Sequence, residues 1–107
     1  MISFEDFNKV QLRVGEITEA KKIDKSDKLL LLKVSLGEKT VQIVAGIGRQ
    51  YTPEQLQGEK IAVLANLEPK SLMGFVSEGM LLAGHNEKGE PVLLKLEKSA
   101  LNGSAIG

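Results

Sequence analysis

An all-β barrel with one short helix is the fold class that the sequence predicts. Short runs of alternating or continuous apolar residues, bounded by glycine, asparagine, aspartate or proline, have the length and composition of strands. One helix-start signal, Thr52-Pro53-Glu54-Gln55, lies between the third and fourth runs. The chain has 107 residues, of which 42% are hydrophobic. A chain of this size closes one core, so we expect a single domain over residues 1–107.

The first half of the chain provides a helical turn and three strands. Ser3 is a candidate N-cap for a short turn that places Phe4 and Phe7 on one side. The alternation that follows is interrupted by Gly15, where we expect a bulge or bend. The leucine-rich run after it could form a helix, but its short length and the glycine that ends it favour a strand. The predicted strands of this half are 10–17, 29–36 and 40–45.

The second half adds the capped helix and further strands. We expect strands over 60–65, 79–84 and 92–96, with a turn between the last two. Strands in this order, with one short helix between the third and fourth, match the five-stranded Greek-key barrel called the OB-fold, here with short terminal extensions. That fold binds oligonucleotides and other ligands, although a fold alone does not assign a function.

Composition argues against several classes of function. The chain has no cysteine, which excludes disulfides, thiolate metal sites and thiol catalysis. The single histidine, His85, falls in an expected turn, where a solvated surface residue is the common case. We therefore expect no enzymatic activity, no metal and no cofactor. No run approaches the roughly 18 apolar residues of a membrane span, and the first residues lack the features of a secretory signal. A cytoplasmic protein without membrane association is the expectation.

The charge balance argues against nucleic-acid binding through bulk positive charge. Fourteen Lys and Arg residues are offset by fourteen Asp and Glu residues. The lysines are unevenly spread, however, and a run of this kind is either a solvated face or a local patch for phosphate groups. The lysines concentrated in the first third are Lys21, Lys22, Lys25, Lys28 and Lys33.

The most distinctive stretch covers residues 66–82, a polar connection between two apolar runs. A connection of this length is longer than is usual between strands, which favours a binding function over a plain hairpin loop. Phe75 is the aromatic residue best placed to stack on a base, and Met80 could serve either the core or a ligand. The side chains that we expect to point outward are Lys70, Ser71, Met73, Ser77 and Met80.

Five segments, 4–15, 26–29, 43–47, 51–56 and 66–82, resemble the tRNA-binding domain family. This family comprises free-standing, dimeric, structure-specific tRNA-binding proteins and the C-terminal domain or β subunit of methionyl-tRNA synthetase. The resemblance implies a non-catalytic OB-fold homodimer that binds the outer corner of folded tRNA, either free or attached to a methionyl-tRNA synthetase catalytic region. The residues that it implies at the RNA are Asn66, Lys70, Met73, Ser77 and Met80, supported by Lys28 and Lys33; Ser71 and Phe75 join them from their place in the loop.

The chain departs from the family in the charge of this loop. The family often has Lys-Pro-Arg-Lys where this chain has Glu68-Pro69-Lys70-Ser71. Fewer phosphate contacts weaken binding and flatten its salt dependence, so we expect a lower affinity than that of a fully basic relative. A related branch of the family suggests an alternative function, a protein-interaction or export-chaperone module that binds unfolded peptides.

Apolar residues near both termini exceed what one small barrel can cover, which predicts a homodimer. The candidate interface residues are Phe4, Phe7, Leu94, Leu96, Leu101 and Ile106.

Overall fold

The structure, a computed structural model that describes residues 1–107, is a nearly closed antiparallel barrel with two one-turn helices, as the sequence predicts. Five strands form one sheet in the order β3-β2-β1-β4-β7, and the other four pair as the hairpins β5–β6 and β8–β9. No helix is long and apolar enough to cross a membrane. The elements are α1 (Phe4–Phe7), β1 (Leu12–Lys22), β2 (Leu30–Ser35), β3 (Thr40–Ala45), α2 (Pro53–Leu56), β4 (Lys60–Leu64), β5 (Lys70–Leu72), β6 (Phe75–Ser77), β7 (Met80–Leu81), β8 (Ala83–His85) and β9 (Pro91–Leu93).

Strand β1 is longer than predicted and holds the sheet together. Its residues 12–16 pair with β4 and its residues 16–22 pair with β2. Of the bulge or bend expected at Gly15, the bulge is absent, because the pairing is regular through Gly15 and shifts only between Ile17 and Glu19. Thr18 lies at that shift, where its hydroxyl donates a hydrogen bond to the carbonyl oxygen of Lys33 at 3.2 Å. Gly15 serves close packing instead, since a Cβ there would lie 2.5 Å from Cγ1 of Val34.

The leucine-rich strand β2 is buried on both of its faces. Leu30, Leu32 and Val34 lie in the main core inside the barrel, while Leu31 belongs to a second, smaller cluster outside it. Burial on two faces explains why the run has so few polar positions. Ile23 and Val44 complete the second cluster, and Leu72 and Phe75 of the β5–β6 hairpin pack against it.

Both predicted helix caps are present. The hydroxyl of Ser3 accepts a hydrogen bond from the backbone N–H of Asp6 at 3.0 Å. Thr52 and Gln55 form the full capping box, with the hydroxyl of Thr52 accepting from the N–H of Gln55 and the amide of Gln55 accepting from the N–H of Thr52. Leu56, the last residue of this capped helix, is completely buried in the main core.

Residues 66–82 are not the unstructured connection that the sequence suggested. They contain the β5–β6 hairpin, in which Lys70 pairs with Ser77 and Leu72 pairs with Phe75. The two residues between the strands, Met73 and Gly74, have φ angles of 51° and 83°. Positive φ at both positions is typical of the tight type I′ turn, whose twist matches that of the strands. The predicted strand over 79–84 is likewise divided, into β7 and β8.

The C-terminal residues 101–106, which we call the C-terminal strap, pair with the edge of β1 that β4 does not use. The N–H of Val14 donates to Ser104, and the carbonyl oxygen of Val14 accepts from Gly103 at 2.7 Å. The N–H of Ile106 donates to the carbonyl oxygen of Leu12 at 2.9 Å. The strap therefore fills the gap that remains where β1 parts from β2.

We expect Gly15→Ala to lower the free energy of unfolding by about 1–3 kcal/mol, because the added methyl group overpacks the core between Val34 and Val63. Chemical denaturation measures this change. Gly84→Ala is the matched control, since a Cβ there meets nothing closer than 4.0 Å. Its effect should stay within about 0.5 kcal/mol. Equal effects of the two substitutions would contradict a close approach at Gly15.

Candidate nucleic-acid interface

The β5–β6 hairpin is fastened to strand β3 through Ser77. The hydroxyl of Ser77 accepts a hydrogen bond from the N–H of Val44 at 3.0 Å and donates one to the carbonyl oxygen of Gly79 at 3.2 Å. Only 7% of the residue is exposed. Strand β3 is the last strand of the sheet, so this hydroxyl satisfies a backbone donor that would otherwise lack a partner.

Gln42 makes a second connection between β3 and the hairpin. The backbone N–H of Gln42 donates to Oε1 of Glu78 at 2.7 Å, and the carbonyl oxygen of Gln42 accepts from the backbone N–H of Glu78 at 2.7 Å. Its side-chain Nε2 donates to the carbonyl oxygen of Val76 at 3.0 Å. The remaining atom, Oε1, accepts from Nζ of Lys33 at 2.8 Å. One neutral side chain thus holds the hairpin and positions a lysine beside it.

The tip of the hairpin forms one wall of a groove of about 430 Å³. Met73 and Phe75 line this groove together with Lys21, Lys22 and Asp24, and the buried Ile23 and Leu31 complete it. Met73 is 52% exposed. Its backbone lies in the left-handed region, a conformation that is uncommon for residues other than glycine. Two lysines beside an exposed apolar surface provide contacts for both a phosphate and a base or sugar, and Asp24 offsets one of their two charges.

A second, smaller cleft of about 270 Å³ lies at the base of the hairpin. Leu67, Leu72 and Met80 give it an apolar lining, and Glu68 and Lys70 contribute one charge of each sign. This cleft is therefore nearly neutral, in contrast to the groove at the tip.

The lysines around the hairpin are free of ion pairs. The ion pairs in the structure are Lys9 with Asp6, Arg49 with Asp27, and Lys95 with Glu59, and all of them lie elsewhere. The lysines near the hairpin that form no ion pair with a carboxylate are Lys21, Lys22, Lys33 and Lys70. Asp24, Glu68 and Glu78 lie in the same region, so the four lysines exceed the neighbouring carboxylates by only one charge.

A family model described as "Putative tRNA binding domain" matches residues 12–105. The chain belongs to this tRNA-binding domain family. It is 53% identical over 105 residues to the methionine–tRNA ligase of Caldanaerobacter subterraneus subsp. tengcongensis, a match that covers 98% of this chain and 16% of the ligase. The match to the ligase of Archaeoglobus fulgidus is 45% identical over 105 residues and covers 98% of this chain and 16% of that protein.

Solved structures with the same fold include a protein related to methionyl-tRNA synthetase and a chaperone. A MetRS related protein from Pyrococcus horikoshii superposes with a TM-score of 0.95 at 34% identity, covering 100% of this chain and 98% of that one. The chaperone CsaA from Bacillus anthracis superposes with a TM-score of 0.91 at 36% identity, covering 100% and 99%. The chain spans about one-sixth of the length of the ligases that it matches. It corresponds to their tRNA-binding module and not to their catalytic region.

Within this tRNA-binding domain, the structure brings most of the predicted contact residues together at the hairpin. Lys70, Ser71, Met73 and Met80 are exposed, Phe75 is half-buried, and Lys33 is joined to the hairpin through Gln42. Lys28 lies in the loop between β1 and β2, where its backbone binds Gly48, and no hydrogen bond or ion pair connects its side chain to the hairpin.

Two of the predicted contact residues have structural roles instead. The prediction that Ser77 points outward is wrong, because its hydroxyl is turned inward to serve the edge of β3. Asn66, which we expected to face RNA, uses both ends of its amide inside the protein. Its Oδ1 accepts from the N–H of Gln11 at 2.9 Å, and its Nδ2 donates to the carbonyl oxygen of Lys9 at 2.7 Å.

Sequence reasoning missed three residues of this surface. Lys21 and Lys22 stood in the basic run, and only the position of the hairpin tip shows that they share a groove with Met73. Gln42 carried no signal in the sequence, because its role depends on contacts with residues more than thirty positions away.

We expect Ser77→Ala to lower the free energy of unfolding by about 1–3 kcal/mol, since it leaves the buried N–H of Val44 without its partner. Denaturation gives the stability, and hydrogen exchange of the Val44 amide reports the loss locally. Ser71→Ala is the control, because Ser71 is exposed and makes no side-chain hydrogen bond. If both serines prove equally dispensable, Ser77 does not fasten the hairpin.

Proposed function

We propose that this chain is a non-catalytic domain that binds folded tRNA through the β5–β6 hairpin and the lysines that surround it. The observation that carries the proposal is the set of ion-pair-free lysines beside the exposed hairpin tip, in a chain that belongs to the tRNA-binding domain family. Phosphate contacts from such lysines release counterions and supply most of the affinity.

Recognition by shape suits this surface better than sequence-tolerant binding of single strands. Proteins that bind single strands stack successive bases on aromatic side chains. Aromatic residues make up only 4% of this chain, and Phe75 already packs partly against the second, smaller cluster. Phosphate and 2′-hydroxyl contacts, with one or two exposed bases against Met73 and Phe75, therefore account for the binding.

The relatives suggest where such a domain works. The ligases that it resembles act on methionine and tRNA by name, and the chain corresponds to a small part of them. We propose that it forms one domain over residues 1–107 that delivers tRNA to a methionyl-tRNA synthetase catalytic region, as a free-standing partner or as an appended domain, in the cytoplasm. No residue in it takes part in catalysis, and it uses neither a cofactor nor a metal.

A homodimer is the second part of the proposal. Phe4 and Leu101 are 78% and 82% exposed, which is unusual for large apolar side chains, and Leu94 is about half exposed. Phe7, Leu96 and Ile106 are half-buried beside them in the sequence. Two copies that share these surfaces would also present two hairpins to one RNA, which raises the affinity through avidity.

One observation favours a different function, the binding of unfolded peptides. The chaperone CsaA of Bacillus anthracis has the same fold over its whole length. The cleft lined by Leu67, Leu72 and Met80 offers apolar contacts of the kind that such a peptide needs. The two functions make opposite predictions in a competition experiment, in which an unfolded polypeptide is added to the complex with tRNA.

We expect the folded domain to bind tRNA more tightly than unstructured RNA of equal length, with an affinity that falls steeply with salt. Replacement of Lys21, Lys22, Lys33 or Lys70 by glutamine should each reduce the slope of log K against log salt by about 1. Gel shifts or fluorescence anisotropy at several salt concentrations measure this slope. Lys88→Gln is the control, because Lys88 is exposed in the turn between β8 and β9.

The result against tRNA binding would be a domain that is folded but does not retain tRNA even at low salt. Unchanged salt slopes in all four lysine variants would place the RNA elsewhere on the domain. Displacement of tRNA by an unfolded polypeptide, with tighter binding of the polypeptide, would support the chaperone function instead.

For the dimer, we expect sedimentation at micromolar concentration to give twice the chain mass of 11.6 kDa. Leu101→Glu should shift the species toward the monomer, because a charge in an apolar interface is costly. Val76→Glu is the control, since Val76 is exposed on the hairpin and outside the proposed interface. A native chain that sediments only at 11.6 kDa would refute the dimer without affecting the RNA site.

A further inference from the structure

The C-terminal strap contains the dipeptide Asn102-Gly103, and the other asparagines of the chain, Asn8, Asn66 and Asn86, precede residues with large side chains. An asparagine followed by glycine is chemically labile. The backbone nitrogen of the glycine can attack the side-chain carbonyl carbon Cγ, and glycine leaves this approach unhindered because it has no side chain. The folded strap decides whether that attack can occur.

The backbone of Gly103 is held in place when the strap is closed. The backbone N–H of Gly103 donates to the carbonyl oxygen of Val14 at 2.7 Å, so the attacking nitrogen is engaged. The carbonyl oxygen of Gly103 accepts from Nη1 of Arg13 at 3.0 Å. Gly103 has a φ of +86°, and a Cβ at this position would collide with the carbonyl oxygen of Leu36. In the closed strap the nitrogen of Gly103 is therefore occupied by its hydrogen bond to Val14, and attack on Cγ of Asn102 requires that bond to break.

The surroundings of Asn102 accept an amide and reject a carboxylate. Its Nδ2 donates to Oε1 of Glu16 at 3.0 Å, with a longer contact of 3.5 Å to the hydroxyl of Ser35. Its Oδ1 is buried and has no hydrogen-bond partner. An aspartate at this position would direct a second negative charge at Glu16 and leave it without a donor.

We propose that Asn102 is a site of spontaneous deamidation that reacts when the strap opens and whose product prevents the strap from closing again. The nitrogen of Gly103 forms a bond to Cγ of Asn102, and the amide nitrogen leaves as ammonia with the proton of the Gly103 N–H. Water then opens the cyclic imide at one of its two carbonyl groups. The products are aspartate, which faces Glu16, and isoaspartate. Isoaspartate adds one carbon to the backbone, so it also shifts the strap out of register with β1.

The rate of this reaction can be measured on the full chain by intact mass and by peptide mapping for isoaspartate. The chain is incubated at neutral pH with and without guanidinium chloride, and Asn8, Asn66 and Asn86 serve as internal controls. In the unfolded chain, Asn102 should react faster than each of the controls. In the folded chain it should react at least about tenfold more slowly than in the unfolded one, because reaction requires local opening of the strap.

Arg13→Ala tests the same coupling in the folded state. This substitution removes the hydrogen bond to the carbonyl oxygen of Gly103, so it should accelerate the reaction of Asn102 without accelerating that of the controls. Equal rates at Asn102 in the folded and unfolded chain would show that the fold gives no protection, and the proposal would be wrong.

The effect of the product is tested with Asn102→Asp, and Asn102→Ser is the uncharged control. Asn102→Asp should lower the melting temperature further than Asn102→Ser and should reduce hydrogen-exchange protection of the Gly103 and Ile106 amides. Adding Glu16→Gln should restore both, because the new amide can donate to the aspartate. An Asn102→Asp variant with the stability and amide protection of the serine control would overturn the proposed block to closure.

Discussion

The use of β1 on both of its edges is the constraint on which the rest of the structure depends. Its first half pairs with β4 and its second half with β2, and the strap occupies the edge that remains. This arrangement requires close approach at Gly15, where the side chains of Val34 and Val63 meet the backbone. Strand β1 passes from one neighbour to the other along its length, and the register shift between Ile17 and Glu19 bends it, which lets the sheet curl toward a barrel around the core.

The candidate site depends on this barrel through the free edge of β3. Backbone donors on that edge are satisfied by Ser77 and by the bonds between Gln42 and Glu78. The groups that make these connections are the neutral hydroxyl of Ser77 and the carboxylate of Glu78, which forms no ion pair with a lysine. The lysines nearby therefore form no direct ion pair and can reach a ligand, although Asp24, Glu68 and Glu78 keep the surface close to neutral.

Much of the barrel could be predicted from the sequence, because its signals are local. Alternation and turn residues give the strands, and the capping box at Thr52 forms as predicted. The hairpin within residues 66–82 was missed, since its turn places Met73 where glycine or asparagine is the usual signal. Ser77 was expected to point outward because polar residues of a surface loop normally face solvent. Here a buried N–H on a distant strand reverses that preference.

The fastening of the hairpin also protects the protein from its own edge. Strand β3, with the sequence Thr40-Val41-Gln42-Ile43-Val44-Ala45, has high β propensity and no charged residue. A strand of this kind with unpaired backbone groups is a template for pairing with another chain. The hairpin covers that edge, so any change that releases it exposes an aggregation-prone strand as well as disrupting the proposed binding surface. The same few hydrogen bonds therefore serve both the solubility of the protein and the proposed ligand binding.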